Sequence, residues 1–308
     1  MDFGYTRTQV IESALRKCGV LRANVSASSD QLTDGALVLN AILKSFASSG
    51  MPLWAIKEGA VFPIHDINTV TLGPSGGHAA TTWVHTQLAA AGAAAATTIT
   101  VDSITGMSAS DQIGVELDSG NMFWTTISGA PSGTTVTLAS GLTTAAAIDS
   151  HVYTYTNKTV RPLKIIQAQK LDYTNSSETP INIVSRDEFL RLSNKTAEGE
   201  PNQIWYDPQI TRGVLSFYPR FSNGNSIIKI YFQRPFEDMD AAGDTLDFPQ
   251  EWESAIVWEL AAQIGFDKGV PERKLGMIQQ KAVYEKTKVE EFGQEEGSVF
   301  LIPNQTGR

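Results

Sequence analysis

The longest stretch without a basic residue constrains the fold of this chain more than any other sequence feature. No Lys or Arg occurs between Lys57 and Lys158, and the 100 residues between them contain seven acidic ones. The stretch is rich in Ala, Thr, Ser and Gly, and its segments 111–118 and 123–127 alternate apolar with polar residues. Alternation with a period of two is typical of half-buried strands. The pattern therefore predicts an acidic, β-rich region between two flanks of different composition.

Turn signals divide this region into short strands. Asp118-Ser-Gly120 and Gly129-Ala-Pro-Ser-Gly133 are typical turn sequences, and the alternation continues at residues 136–138 and 152–155. Short antiparallel strands joined by tight turns close into small barrels or sandwiches. We predict that residues 78–157 form an inserted domain of this kind.

The flanks carry helical patterns instead. The spacing of apolar residues predicts a helical hairpin over about residues 8–50, and two further helices begin near Pro249 and Pro271. Short apolar runs between residues 180 and 232 predict a few strands. The predicted fold class is α+β: a helical-bundle core with a small antiparallel sheet, plus an inserted all-β barrel or sandwich domain. The predicted domains are a core of residues 1–77 and 158–292, the insertion 78–157 and a C-terminal tail 293–308.

The charge balance limits the partners. The chain has 308 residues with 24 basic and 33 acidic side chains, a net charge of −9, of which the basic-free stretch carries −7. Because neutralisation of phosphates requires basic side chains, this composition excludes a protein that holds DNA by its phosphates. A protein that lets DNA pass remains possible, since the flanks carry a net charge of only −2.

Cysteine content and apolar runs restrict the compartment. Cys18 is the only cysteine, so the chain forms neither an intrachain disulfide nor a Cys-based zinc site. The N-terminus lacks a basic segment followed by an apolar run, and no window of about 18 residues is continuously apolar. We expect a protein made and kept in a cytosol, with no membrane partner.

Motifs that could carry chemistry are weak. Gly73-Pro-Ser-Gly-Gly77 matches a hydrolase nucleophile elbow, but the helical pattern that should follow it is missing. Asp238–Pro249 begins like a calcium loop, yet Ala242 and Pro249 occupy positions that require oxygen ligands. The four histidines are not spaced for a zinc-binding helix. We therefore predict no catalytic residue, no metal and no cofactor, and we expect that the protein is not an enzyme.

A series of short motifs in a fixed order carries a resemblance to a known family. The motifs are Leu37–Leu43, Gly50–Trp54, Val70–Gly77, Arg161–Ile165, Ile183–Phe189, Trp205–Pro208, Gly213–Pro219 and Leu246–Pro249. In content and order they resemble the head-to-tail adaptor family of short-tailed bacteriophages, also called tail accessory factors or packaged-DNA stabilisation proteins. The resemblance covers about residues 5–77 and 158–292. The insertion 78–157 departs from the compact form of that family, and Arg220–Asn225 replaces a shorter proline-containing turn.

The resemblance implies a structural role. A member of this family forms a homo-oligomeric ring, usually dodecameric, below the portal protein of a DNA-filled capsid. It joins the capsid to the tail and surrounds part of the channel through which double-stranded DNA passes without specific binding. Its location is the head–tail junction of the virion, after synthesis in the host cytoplasm. Its further partners are tail nozzle proteins, tail fibre proteins or both. The insertion either contacts them or fills space between neighbouring subunits, and we favour the contact.

The C-terminal tail provides the candidate binding residues. Within the tail, an apolar segment is too hydrophobic for a purely solvated chain, and such segments order on a partner. The resemblance implies that the tail docks on the portal. The candidate portal-contacting residues are Val299, Phe300, Leu301, Ile302 and Pro303.

Two other function classes compete with the adaptor. A tail-associated carbohydrate-binding or cell-wall-degrading protein would use the insertion as its sugar module, but no pair of carboxylates stands in a plausible cleft. A major tail-tube or capsid protein would need longer uninterrupted strands than the flanks provide.

Overall fold

The computed structural model describes residues 4–49, 53–64 and 66–292, and it divides the chain into two compact units. The first unit comprises Met1–Ala55 and Phe236–Arg308, and the second comprises Ile56–Pro235. The α-helices of the described residues are α1 (Arg7–Cys18), α2 (Ser29–Ser49), α3 (Arg186–Leu190), α4 (Glu253–Asp267) and α5 (Glu272–Phe292).

The strands of the described residues all lie in the second unit. They are β1 (Ile56–Val61), β2 (Thr69–Leu72), β3 (Ala79–Ala80), β4 (Val84–Gln87), β5 (Thr98–Thr100), β6 (Gln112–Glu116), β7 (Met122–Thr126), β8 (Thr135–Thr137), β9 (His151–Tyr155), β10 (Lys164–Asp172), β11 (Ser177–Ile183), β12 (Glu198–Gly199), β13 (Gln203–Pro208), β14 (Gly213–Tyr218), β15 (Arg220–Phe221) and β16 (Ser226–Gln233).

The first unit is built from α1, α2, α4 and α5. Helix α1 starts with a capping box in which Thr6 accepts from the backbone N–H of Gln9 and Gln9 accepts from that of Thr6. It ends at Gly19, whose φ of +77° suits glycine. The sequence pattern predicts a helix that begins at Thr8 and stops at Gly19; the structure confirms the stop and begins the helix one residue earlier, at Arg7. The helices share one core, to which Phe46, Trp54, Phe236, Phe248 and Trp252 contribute an aromatic cluster.

An eight-stranded sheet dominates the second unit, in the order β2-β14-β13-β11-β10-β16-β1-β3. Its pairs are antiparallel except for β11 with β13, which run parallel. The sheet is nearly closed into a barrel, and strand exceeds helix, at 31% against 27%. The predicted helical-bundle core with a small antiparallel sheet is therefore wrong.

Two strands that the sequence pattern did not reveal explain this error. In β10 a bulge between Ile165 and Gln167 shifts the register, so buried Ile165 and Ala168 stand three residues apart rather than two. In β1 the buried half is Gly59-Ala-Val61, and Gly59 lies against the Phe232 ring of β16. The small residues of β1 and the bulge in β10 weaken the alternation of apolar and polar residues that would mark a strand. Both strands nevertheless pair with β16.

The acidic stretch forms a four-stranded sheet, β4-β9-β6-β7, and the β5–β8 pair. The strands predicted near residues 112, 123, 136 and 152 are confirmed. They enclose their own apolar core, which includes Leu88, Ile113, Val115, Val136 and Val152. A second cluster joins this sheet to the eight-stranded one, because Tyr153 and Tyr155 pack with Phe62, Ala60 and Ile227. The stretch is thus part of the second compact unit.

Candidate interaction surfaces

The tail segment predicted to bind the portal lies outside the described residues, as does the whole of 293–308. The prediction for Val299, Phe300, Leu301, Ile302 and Pro303 therefore remains a prediction. The surfaces that follow belong to residues that the structure describes.

The motifs singled out for chemistry occupy turns and loops. Exposed Ser75 lies in the turn between β2 and β3, so a strand rather than a helix follows it. Asp238 forms an ion pair with Lys44 at 3.1 Å, and the segment from Asp238 to Asp247 has no regular structure. Among the described residues, no group of three or more His, Cys, Asp or Glu side chains is placed to hold a metal ion.

The first unit exposes large apolar side chains on three of its helices. Leu37 of α2 is 71% exposed and Phe266 of α4 is 74% exposed. On α5, Met277, Val283 and Tyr284 are each more than 60% exposed. Exposed apolar side chains that lie together mark protein–protein contact sites on soluble proteins.

A groove runs between α2, α4 and α5, and we call it the acidic groove. One part, with a volume of about 540 Å³, is lined by Val38, Phe266 and Val283 together with Glu259 and Asp267. The adjoining part shares Val38 and Asp267 and adds Leu37, Asp34 and Lys268. Lys268 lies 3.4 Å from Asp34, so the single base of the groove is engaged by one of its acids. Glu259 and Asp267 leave the groove with a negative charge.

The other side of α5 carries a different surface, which we call the basic stripe. Met277, Lys281, Tyr284 and Lys288 follow one another at intervals of four, three and four residues, so they share one face of the helix. The Lys281 ammonium lies 4.7 Å from the centre of the Tyr284 ring and 2.6 Å from Glu285. Lys288 is exposed, and exposed Arg273 extends the stripe by one turn.

The second unit contains a cluster of histidine and aromatic rings. His85 Nε2 and His151 Nδ1 are 2.9 Å apart, and the His85 ring stacks on Tyr173 with a centroid distance of 3.7 Å. The His78 ring stacks on Trp124 at 3.9 Å, and its Nδ1 lies 2.8 Å from the Tyr155 hydroxyl. We call these rings the histidine cluster.

Burial governs the protonation of this cluster. Loss of hydration and, to a smaller extent, the charge of neighbouring His151 together lower the pKa of His85 to about 4. Burial, aided by Lys158, lowers the pKa of His78 to about 4. Burial also lowers the pKa of His151, although the charges of Glu116 and Asp172 act in the opposite direction. At neutral pH the cluster is therefore uncharged, which suits a packing role.

Hydrogen bonds attach the four-stranded sheet to the β15–β16 turn of the eight-stranded one. The Tyr153 hydroxyl donates to the carbonyl of Gly224 at 2.7 Å, and Glu116 accepts from the Gly224 N–H at 2.8 Å. Glu116 also accepts from the backbone N–H of His151 at 3.3 Å. Tyr153 is fully buried, and burial raises its pKa. These contacts hold the inserted stretch against the larger sheet.

Sequence reasoning missed both the histidine cluster and the two surfaces of the helical unit. His85 and His151 are 66 residues apart and meet because β4 and β9 pair in the register His85↔Tyr153 and Gln87↔His151. The spacing of Met277, Lys281, Tyr284 and Lys288 was a visible signal for the basic stripe, but only packing shows which helix faces stay exposed.

Comparison with protein-family models and with curated proteins finds no match for this chain. Within the described residues, no helix has both the length and the apolar content needed to cross a membrane. Function is therefore inferred from the fold and from the surfaces described above.

Proposed function

We propose that this protein is a structural head-to-tail adaptor of a short-tailed bacteriophage. In this proposal, copies of the chain form a ring below the portal protein at the head–tail junction of the virion. The ring joins capsid to tail and surrounds passing double-stranded DNA, with tail nozzle or tail fibre proteins as further partners. The proposal assigns no catalytic step and no cofactor.

The observation that carries the proposal is the exposed apolar surface of the helical unit. Leu37, Phe266, Met277, Val283 and Tyr284 all belong to this one unit and are mostly exposed. Burying each of these side chains in a subunit contact stabilises an assembly by roughly 1.5–3 kcal/mol before the cost of association is subtracted. This surface supports a subunit contact, as a ring requires.

The charge distribution also suits a conduit for DNA. The basic-free stretch carries −7 of the net −9 and the flanks carry the remaining −2, so neither part has the excess of basic side chains that would hold a duplex by its phosphates. A wall that makes few phosphate contacts lets a duplex slide. For the portal contact, the proposal relies on the apolar tail segment Val299–Pro303.

The test is assembly and portal binding of the purified full-length protein. We expect sedimentation velocity to show a closed oligomer and end-on electron micrographs to show a ring with a central opening. The ring should retain the portal protein of the same phage in a pull-down, and deletion of residues 293–308 should abolish retention without dissolving the ring. A monomer at all concentrations would refute the proposal, and a monomer that binds glycans would favour the carbohydrate-binding alternative.

A further inference from the structure

Helix α5 has two different exposed faces on opposite flanks of its buried face. Ile278, Ala282 and Val289 mark the buried side. With 3.6 residues per turn, Val283 points roughly 120° to one side of them, into the acidic groove, and Tyr284 roughly 140° to the other, within the basic stripe. One copy of the chain therefore presents two separate partly apolar surfaces on the same helix.

The two faces have opposite charge. The acidic groove carries Glu259 and Asp267, and within the described residues Asp267 has no ion-pair partner. Glu259 accepts only a neutral hydrogen bond, from the Gln263 side-chain amide at 3.2 Å. On the stripe, Arg273 and Lys288 are exposed and no acid of the described residues pairs with either. Exposed Glu291 lies on the same helix face and Glu285 pairs with Lys281, so three bases and two acids leave the stripe with a net positive charge. Each face thus displays charge that its own subunit leaves unneutralised.

The apolar residues of the two faces are also suited to each other. The groove is an open depression of about 540 Å³ with Phe266 and Val283 on its walls. The stripe projects Met277 and Tyr284, a flexible side chain and a rigid aromatic one, both of which are favoured at protein interfaces. A ridge with positive charge therefore matches a depression with negative charge.

We propose that the basic stripe of one copy of this chain docks in the acidic groove of the next copy. This inference rests on the proposed function, because a ring requires a repeating contact, and it specifies which residues form that contact. The two faces differ, so the contact is head to tail: every copy uses both its groove and its stripe, and the series closes into a ring. A two-fold contact of groove with groove would bring Glu259 and Asp267 of one copy against the same acids of another, which like charges oppose.

Charge reversal on one face tests the contact. The stripe variant is Arg273→Glu with Lys288→Glu, and the groove variant is Glu259→Lys with Asp267→Lys. The control is Arg22→Glu with Lys164→Glu, which makes the same charge change as the stripe variant at two exposed positions on neither face. Sedimentation velocity at several protein concentrations measures the association of each protein, and circular dichroism checks that each is folded.

We expect the stripe variant and the groove variant each to dissociate into monomers, with the association weakened on the order of 100-fold, because like charges then face each other. The control should assemble as the wild type does. A fourth protein that combines both reversals restores opposite charges across the contact, so it should regain the oligomer. Regain of assembly also shows that the single-face variants had not simply lost their fold.

The outcomes separate the two proposals. If the wild type forms a ring and either single-face variant forms the same ring with the same concentration dependence, the docking inference is wrong and the proposed function stands. Failure of the combined variant to regain the oligomer, or dissociation of the control, also overturns the docking inference. If the wild type is a monomer at all concentrations, the proposed function fails and the docking inference fails with it.

Discussion

His85 gives the sharpest prediction for the second unit, because its charge depends on pH and its surroundings are well defined. The ring stacks on Tyr173 and shares a hydrogen bond with His151, whose other charged neighbours are Glu116 and Asp172. Burial holds the pKa of His85 at about 4 in the folded chain, whereas the ordinary value is 6.5. We predict that acidification destabilises the fold through this residue.

The sign follows from proton binding. Between pH 6.5 and about 4 the unfolded chain binds a proton at His85 and the folded chain does not, so stability falls as pH falls through this window. Above pH 6.5 both states are neutral at this position and the effect vanishes. Between pH 7.5 and pH 5, the difference between the pKa of His85 in the unfolded and folded chain lowers the free energy of unfolding by about 2 kcal/mol. Because the ring retains some contact with water, we expect about 1–2 kcal/mol.

The assay compares the wild type with His85→Gln, which keeps a hydrogen-bonding group toward His151 but does not titrate. Urea unfolding is followed by tryptophan fluorescence at pH 7.5 and pH 5, since Trp83 donates to Tyr173 at 2.9 Å and reports on this cluster. We expect the loss of unfolding free energy on acidification to be about 1–2 kcal/mol smaller in the variant. As a matched control, Asn157→Gln at an exposed position should behave as the wild type. Equal acid losses in the wild type and His85→Gln would refute the reasoning.

Three further stability predictions use the same urea assay at pH 7.5. Tyr153→Phe should cost about 1–3 kcal/mol, because the buried Gly224 carbonyl loses its donor; no loss would show that water replaces it. Phe62→Ala should cost about 3–5 kcal/mol, since Phe62 is fully buried against Tyr155 and Trp124, and Phe62→Leu should cost less. Ser185→Ala should cost about 1 kcal/mol by removing the α3 cap, whereas Ser185→Asp should retain most of the stability; equal losses would contradict a capping role.

Elements whose signals are local could be predicted from the sequence. The end of α1 follows from Gly19, and the capping box of α3 follows from Ser185 and Glu188. The strands of the acidic stretch follow from alternation and turn residues. These signals involve residues only a few positions apart, so they remain visible without the rest of the fold.

The eight-stranded sheet could not be predicted in the same way. Strand β16 pairs with β1 on one side and β10 on the other, and the residues of β1 are about 170 positions away from those of β16. The glycine at position 59 leaves room for the Phe232 ring, which lies over it only because β1 pairs with β16. The bulge in β10 likewise fits only a partner strand that accepts the shifted register. Local composition around Gly59 and Ala168 therefore resembled loop more than strand.

The sequence by itself determined that an acidic, basic-free, β-rich stretch interrupts helical flanks, since charge and periodicity are properties of neighbouring residues. Only the tertiary structure decided that the second unit is organised around one large sheet, that His85 meets His151, and that α5 leaves two oppositely charged faces exposed. The physical reason is that strand pairing and burial depend on which distant surfaces fit together. That fit is a property of the whole chain, and no short segment contains it.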